Sequence, residues 1–98
     1  MARVKYDGVI EAVRYAPDGK ITLTRVYERR GAAFSDRVLL DRPTLVERLK
    51  KGLKFVTGQR EIFLASTFET AKSVQLLGEN ITTGKNGEHD LLEDVPLF

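Results

Sequence analysis

The fold turns on residues 3–30, RVKYDGVIEAVRYAPDGKITLTRVYERR. The first arm, Arg3 to Tyr15, is rich in β-branched and aromatic residues. Val4, Tyr6, Ile10 and Ala12 fall on one parity and Lys5, Asp7 and Glu11 on the other, the period of a strand. Val9, Val13 and Tyr15 break that alternation and Gly8 lies mid-strand, which a β-bulge or a sharp bend explains. Ala16-Pro17-Asp18-Gly19-Lys20 is turn chemistry: proline presets φ and glycine accepts a positive one. Ile21 to Arg30 therefore returns antiparallel, with Ile21, Leu23 and either Arg25 or Val26 followed by Tyr27 on its apolar side. A hairpin with a bent first arm is the opening of a small antiparallel barrel.

Working outward, Gly31-Ala32-Ala33 reads as a loop and Ser35 to Asp41 as a third strand centred on Val38-Leu39-Leu40. The period then changes. Residues 43–51 place Pro43 in a first helical turn, Leu45 and Leu49 four apart, and Lys50 and Lys51 at the C-terminal end of the dipole. Gly52 stands where a helix leaves through positive φ, and Leu53 where a Schellman motif wants an apolar contact. Leu53–Thr57, Glu61–Phe68 and Ser73–Leu77 read as further strands, with a turn at Thr57–Arg60 and a turn or single helical turn at Glu69–Lys72. The expected class is mostly β with one short helix near 43–51. The expected architecture is a small antiparallel barrel of five to six strands, OB-like or SH3-like. The body spans residues 1–78. Residues 79–98 form an acidic C-terminal tail, linker-like or docked on the barrel.

The 98 residues suit one domain. With no cysteine, disulfides, thiolate nucleophiles and Cys-based metal sites are excluded, and the single histidine, His89, leaves no multi-histidine site. No cofactor or metal is expected. No signal-peptide pattern, lipidation motif or membrane-length apolar run is present, so the expectation is a cytoplasmic chain with no membrane partner. The net charge of +2 conceals a polarity. Residues 1–60 hold 14 Lys and Arg against 7 Asp and Glu, whereas residues 61–98 hold 2 against 7.

The basic part supplies the first candidate site. Arg25, Arg29, Arg30, Arg37, Arg48, Lys50, Lys51, Lys54 and Arg60, with Arg42, run through the hairpin, third strand and helix. Tyr15, Tyr27, Phe34 and Phe55 lie among them. Cations neutralise phosphates and exposed aromatics stack on unpaired bases, so Tyr27 with these cations is a candidate surface for single-stranded DNA or RNA. The competing interpretation is a solvated polar face with the aromatics in the core. Gly78 to Lys85 mimics a phosphate loop but has the wrong glycine spacing, with Asn86 where Ser or Thr belongs. Asn80-Ile81-Thr82 matches a glycosylation acceptor without a secretion signal. Asp7, Glu11, Asp36 and Asp41 are ordinary salt-bridge partners as readily as acid–base pairs, and His89 sits in a polar stretch. No residue nominates itself for catalysis. A ligand-binding barrel would need a pocket around Tyr6, Tyr15 or Phe63.

The second candidate is Glu93-Asp94-Val95-Pro96-Leu97-Phe98, two carboxylates before a proline-stiffened apolar tip. A partner pocket ringed by Arg or Lys would recognise it. These six residues resemble the acidic tail tips of bacterial single-stranded-DNA-binding proteins, which implies recruitment of a protein partner; Leu97 between Pro96 and Phe98 departs from that pattern. They also resemble, more faintly, the Leu-Phe-ended peptides that dock on bacterial sliding clamps, with Asp94 where glutamine is usual. Equally, Leu91, Leu92, Val95, Leu97 and Phe98 can fold back over a barrel mouth or sheet edge. The functional expectation is a non-enzymatic nucleic-acid-binding barrel whose tail competes for the basic face or recruits a partner. The alternative is a protein-interaction or self-assembly module whose C-terminal segment packs on the barrel. Sequence sets no oligomeric state.

Overall fold

In a computed structural model, residues 6–31, 33–60, 68–83 and 89–98 are described. The hairpin forms as its residues dictate. Strands β1 (Gly8–Tyr15) and β2 (Ile21–Arg30) pair antiparallel around a turn in which Gly19 takes φ +88 and donates to the Ala16 carbonyl. The pairing steps from Ile10–Val26 to Ala12–Arg25, leaving Glu11 as the extra residue of a bulge. That single insertion exchanges the faces of β1. Ile10 and Val13 point to one side of the sheet, Glu11, Ala12 and Arg14 to the other, which resolves the broken parity.

β2 carries two short partners on its other edge, β3 (Ala33–Phe34) and β4 (Val38–Asp41). Ala33 thus pairs with Arg30 instead of lying in a loop. Helix α1 (Arg42–Lys50) begins where the Asp41 carboxylate accepts the Thr44 N–H at 3.0 Å. Hydrogen bonding from the Thr44 side chain and main chain holds the Asp41 pKa below its ordinary value. The helix ends in a Schellman motif: Gly52 N–H donates to Leu49 O, Leu53 N–H to Arg48 O, and Gly52 has φ +85.

The helix crosses the sheet and returns the chain parallel to β1. Strand β5 (Phe55–Arg60) pairs with Gly8–Ile10 in parallel, so the sheet is not wholly antiparallel. β6 (Phe68–Leu77) and β7 (Asn80–Thr82) follow by antiparallel steps, giving the order β3-β2-β1-β5-β6-β7 with β4 beside β2. Gly58, Gln59 and Arg60 pair with Thr70, Glu69 and Phe68, so the turn expected at Thr57–Arg60 and the turn or single helical turn expected at Glu69–Lys72 are strand. Thr57 accounts for the irregularity there, because its buried hydroxyl takes the Lys72 N–H at 3.1 Å in place of a ladder bond. Most of the strand expected at Glu61–Phe68 lies outside the described residues.

The molecule is mostly β with one short helix. Among the described residues its strand ladders do not close into a barrel. Residues 89–98 instead run from the β7 edge back to β1, touching the ladders through single bridges, Thr82 to Leu91 and Val13 to Leu97. They share the core: Leu92 is buried with Ile10, Val13, Ile21, Val26, Leu40, Phe55, Val74, Ile81 and the helix residue Leu45. The opposite face holds a smaller cluster, Val9 and Tyr27 with Tyr6, Phe34 and Val56. Among the described residues no helix is long and apolar enough to cross a membrane.

Candidate functional site

On the face opposite the helix, strand register aligns Leu39, Arg25 and Ala12 in one row and Leu23 with Arg14 in the next. Glu11 organises the charges. Its Oε1 lies 2.7 Å from Arg25 Nε and 2.8 Å from Arg37 Nε, and its Oε2 accepts the Tyr27 hydroxyl at 2.9 Å. Arg37 Nε also donates to the Tyr27 oxygen at 2.9 Å, and this bond, followed by the charge of Glu11, raises the Arg37 pKa above its ordinary value. One carboxylate placed by the bulge therefore gathers two guanidinium groups.

The C-terminal segment completes the arrangement. Val13 donates its N–H to Pro96 O at 2.9 Å and accepts from Phe98 N–H at 3.2 Å, so residues 96–98 extend the β1 edge beyond the place where β5 leaves it. Strand alternation turns the Phe98 side chain to the arginine face. There the Arg14 guanidinium lies 4.8 Å and the Arg25 guanidinium 5.2 Å from the ring centroid, and Arg14 Nε donates to the Phe98 main-chain oxygen at 3.0 Å. Ala12, between the two arginines, offers only a methyl group, so the ring reaches across β1 to β2.

The rest of that segment is anchored differently. The Asp90 side chain is shut off from solvent and accepts from Ile21 N–H at 2.9 Å, Ile81 N–H at 2.8 Å and Arg42 Nε at 2.9 Å. Burial by itself would raise the Asp90 pKa; Arg42 and the two main-chain donors outweigh it and hold the carboxyl below its ordinary value. Leu92 N–H donates to the Tyr15 hydroxyl at 3.0 Å. Glu93 and Asp94 face Lys72, at 2.7 and 3.9 Å. Val95 packs on the core, whereas Pro96 and Leu97 are exposed, Leu97 at 72%.

The cations expected to form one basic surface are divided. Arg25 and Arg37 share the Glu11 cluster; Arg29 meets Asp7 at 3.5 Å, Arg48 meets Glu28 at 3.3 Å, and Lys51 meets Glu47 at 3.1 Å along the helix. Arg30, Lys50 and Lys54 are exposed, and the Arg60 side chain lies outside what is described. Tyr27 is corrected outright: at 1% exposure it is a core residue with its hydroxyl committed to Glu11, so its ring presents no stacking face. Sequence reasoning omitted Arg14 from the site. Its signal was parity after the bulge, which places it beside Arg25's row.

The carboxylates considered for acid–base work are otherwise engaged, Asp7 by Arg29 and the Lys54 N–H, Asp41 by the helix N-terminus. His89 is exposed. Tyr6 packs against Phe34 with centroids 5.7 Å apart, Tyr15 binds Leu92 N–H, and Phe63 lies outside the described residues. Comparison of the chain with family models, curated proteins and solved structures yields no match.

Proposed function

We propose that this chain is a non-enzymatic module that binds single-stranded nucleic acid on its arginine face, with residues 95–98 as an internal competitor. The observation that carries this reading is the placement of one aromatic ring against two guanidinium groups, with a main-chain oxygen on Arg14 Nε. A flat ring beside an oxygen acceptor is also what an unpaired base and its phosphate offer. Arginine planes take bases by stacking and cation–π attraction and phosphates by charge-assisted bonds. Arg14, Arg25 and Arg37 against Glu11 leave a net positive surface once the tip departs.

The tip is suited to leave. It is held by a short stretch of backbone pairing, the partial packing of Val95, the Arg14 Nε bond to Phe98 O and cation–π contacts worth about 0.5–1 kcal/mol each, while Asp90 and Leu92 stay buried behind it. Fluorescence anisotropy with oligo-dT, oligo-U and duplex DNA at low and moderate salt tests the reading. Binding of single strands that weakens with salt and is lost in Arg14→Ala/Arg25→Ala is expected; absence of binding at low salt overturns it.

One observation favours a second reading, a protein-interaction module. The β1 edge at Val13 accepts residues 96–98 as an added strand, the geometry by which sheet edges capture extended peptides of a partner or a second copy. Sedimentation of the full chain against a variant lacking residues 95–98 separates the self-assembly form of this reading, which requires the mass to change.

A further inference from the structure

We infer that the cleft between the β1–β2 turn, helix α1 and the β6–β7 turn is a binding site for a small phosphate-bearing molecule, separate from the arginine face. The cleft measures about 410 Å³, within the range of small-ligand pockets. Lys20 enters from the hairpin turn, Arg42 and Lys50 from one stripe of the helix with Val46 between them, and Gly78 and Asn80 from the turn opposite. Residues eight apart on a helix are on one face and roughly 12 Å apart along its axis, so the two helix cations stand at opposite ends of the opening.

Three features point to an anion. Three cations from two elements line the cleft, and Glu79 is the one carboxylate residue among its described lining residues; the Glu79 carbonyl oxygen accepts from Arg42 Nη2. Among the described residues neither Lys20 nor Lys50 has an acidic side chain in ion-pair contact. Arg42 is balanced by Asp90, with Asp18 and Glu79 also acting on it, but Lys20 and Lys50 have no such partner among the described residues, and a bound anion offsets their charge.

Arg42 is also organised in advance. Asp90 fixes its guanidinium through Nε at 2.9 Å and Nη2 at 3.2 Å, so little side-chain freedom is lost when a ligand arrives. Among the described contacts Nη1 makes no hydrogen bond, which leaves its N–H groups as donors held in place by the Asp90 pair. Two flexible lysines around one fixed arginine suit a terminal phosphate or diphosphate group better than a planar carboxylate. Most of the lining is polar, which fits a hydrated phosphate ligand rather than an apolar one.

The test is a titration of the full chain with inorganic pyrophosphate at low ionic strength, followed by amide chemical shifts, beside a parallel titration with oligo-dT. Saturating shifts at Lys20, Gly78 and Asn80 in millimolar pyrophosphate are expected, with affinity about tenfold weaker in Lys20→Ala/Lys50→Ala. Both lysines are exposed, so that variant keeps the core. The inference is overturned if pyrophosphate gives no saturating shifts, if the double variant responds like the parent, or if only oligo-dT moves these amides. Failure here leaves the arginine-face reading standing, because that reading is measured through Arg14 and Arg25.

Discussion

Asp90 and Arg42 meet across 48 positions of sequence: a carboxylate with no solvent exposure, close to the C-terminus, takes both Nε and Nη2 of the first residue of the helix. The same carboxylate caps the N–H of Ile21 at the start of β2 and of Ile81 in β7. One side chain thus ties together the hairpin, the helix, the last strand and the C-terminal segment.

Replacing Asp90 by Asn leaves the Arg42 guanidinium without its counter-charge and removes one acceptor. Breaking a buried ion pair costs about 3–5 kcal/mol, and the partial exposure of Arg42 puts this case toward the lower end. Urea unfolding of Asp90→Asn checks the value.

The same residue sets the acid limb of stability. Its folded pKa lies below the unfolded value of about 3.9, so its contribution is complete above that pH and is lost as the pH falls through the folded value. Asp41, also lowered, acts in the same direction. Urea midpoints should therefore fall as the pH drops below about 4, and Asp90→Asn should flatten that dependence.

Gly8 is fixed by contact. A Cβ built there collides with the buried Phe55 ring, standing 2.7 Å from Cδ2 and 2.9 Å from Cζ. Gly8→Ala should destabilise by about 1–3 kcal/mol, and Gly8→Ala/Phe55→Leu should recover part of the loss that the two single variants sum to.

If the Phe98 ring occupies the site of a base, Phe98→Ala should raise oligo-dT affinity, by up to about fivefold for a competitor held by about 1 kcal/mol. Arg25→Ala should lower it. Ala12→Leu, which fills the space across which the ring reaches Arg25, should expose the tip to proteolysis without unfolding the body.

Glu11→Gln separates two roles. It should weaken the fold by about 1–3 kcal/mol, since Arg25, Arg37 and the Tyr27 hydroxyl lose a charged acceptor. It should also steepen the salt dependence of oligo-dT binding, because a counter-charge leaves the face. Anisotropy across a salt series reads the second effect independently of the first.

Local chemistry was legible before any coordinates. The turn at Ala16–Lys20, an irregularity in the first arm from its broken parity, the helix near 43–51 with its exit at Gly52 and Leu53, and the option that the C-terminal segment folds back all follow from neighbouring residues, whereas the Asp41 cap was not read. Pairings between distant segments were not. Thr57–Arg60 and Glu69–Lys72 carry residues common in turns, yet each satisfies its backbone against the other, an opportunity that exists only once β5 and β6 lie side by side. Tyr27 misled because a strand aromatic has the same alternation on either face. Only the acidic residue placed by the bulge decides where its hydroxyl is bound.

By itself the sequence determined a mostly β chain with one short helix ending at Gly52, a hairpin with a bulged or bent first arm and a divided charge, since dihedral preference, parity and helix capping act over a few residues. Tertiary structure alone decided that β5 runs parallel to β1, that residues 89–98 join the core, and that Arg14, Arg25 and Phe98 form one group. Those outcomes depend on which edges and faces remain open after the hairpin and helix have packed, and no local propensity encodes that choice.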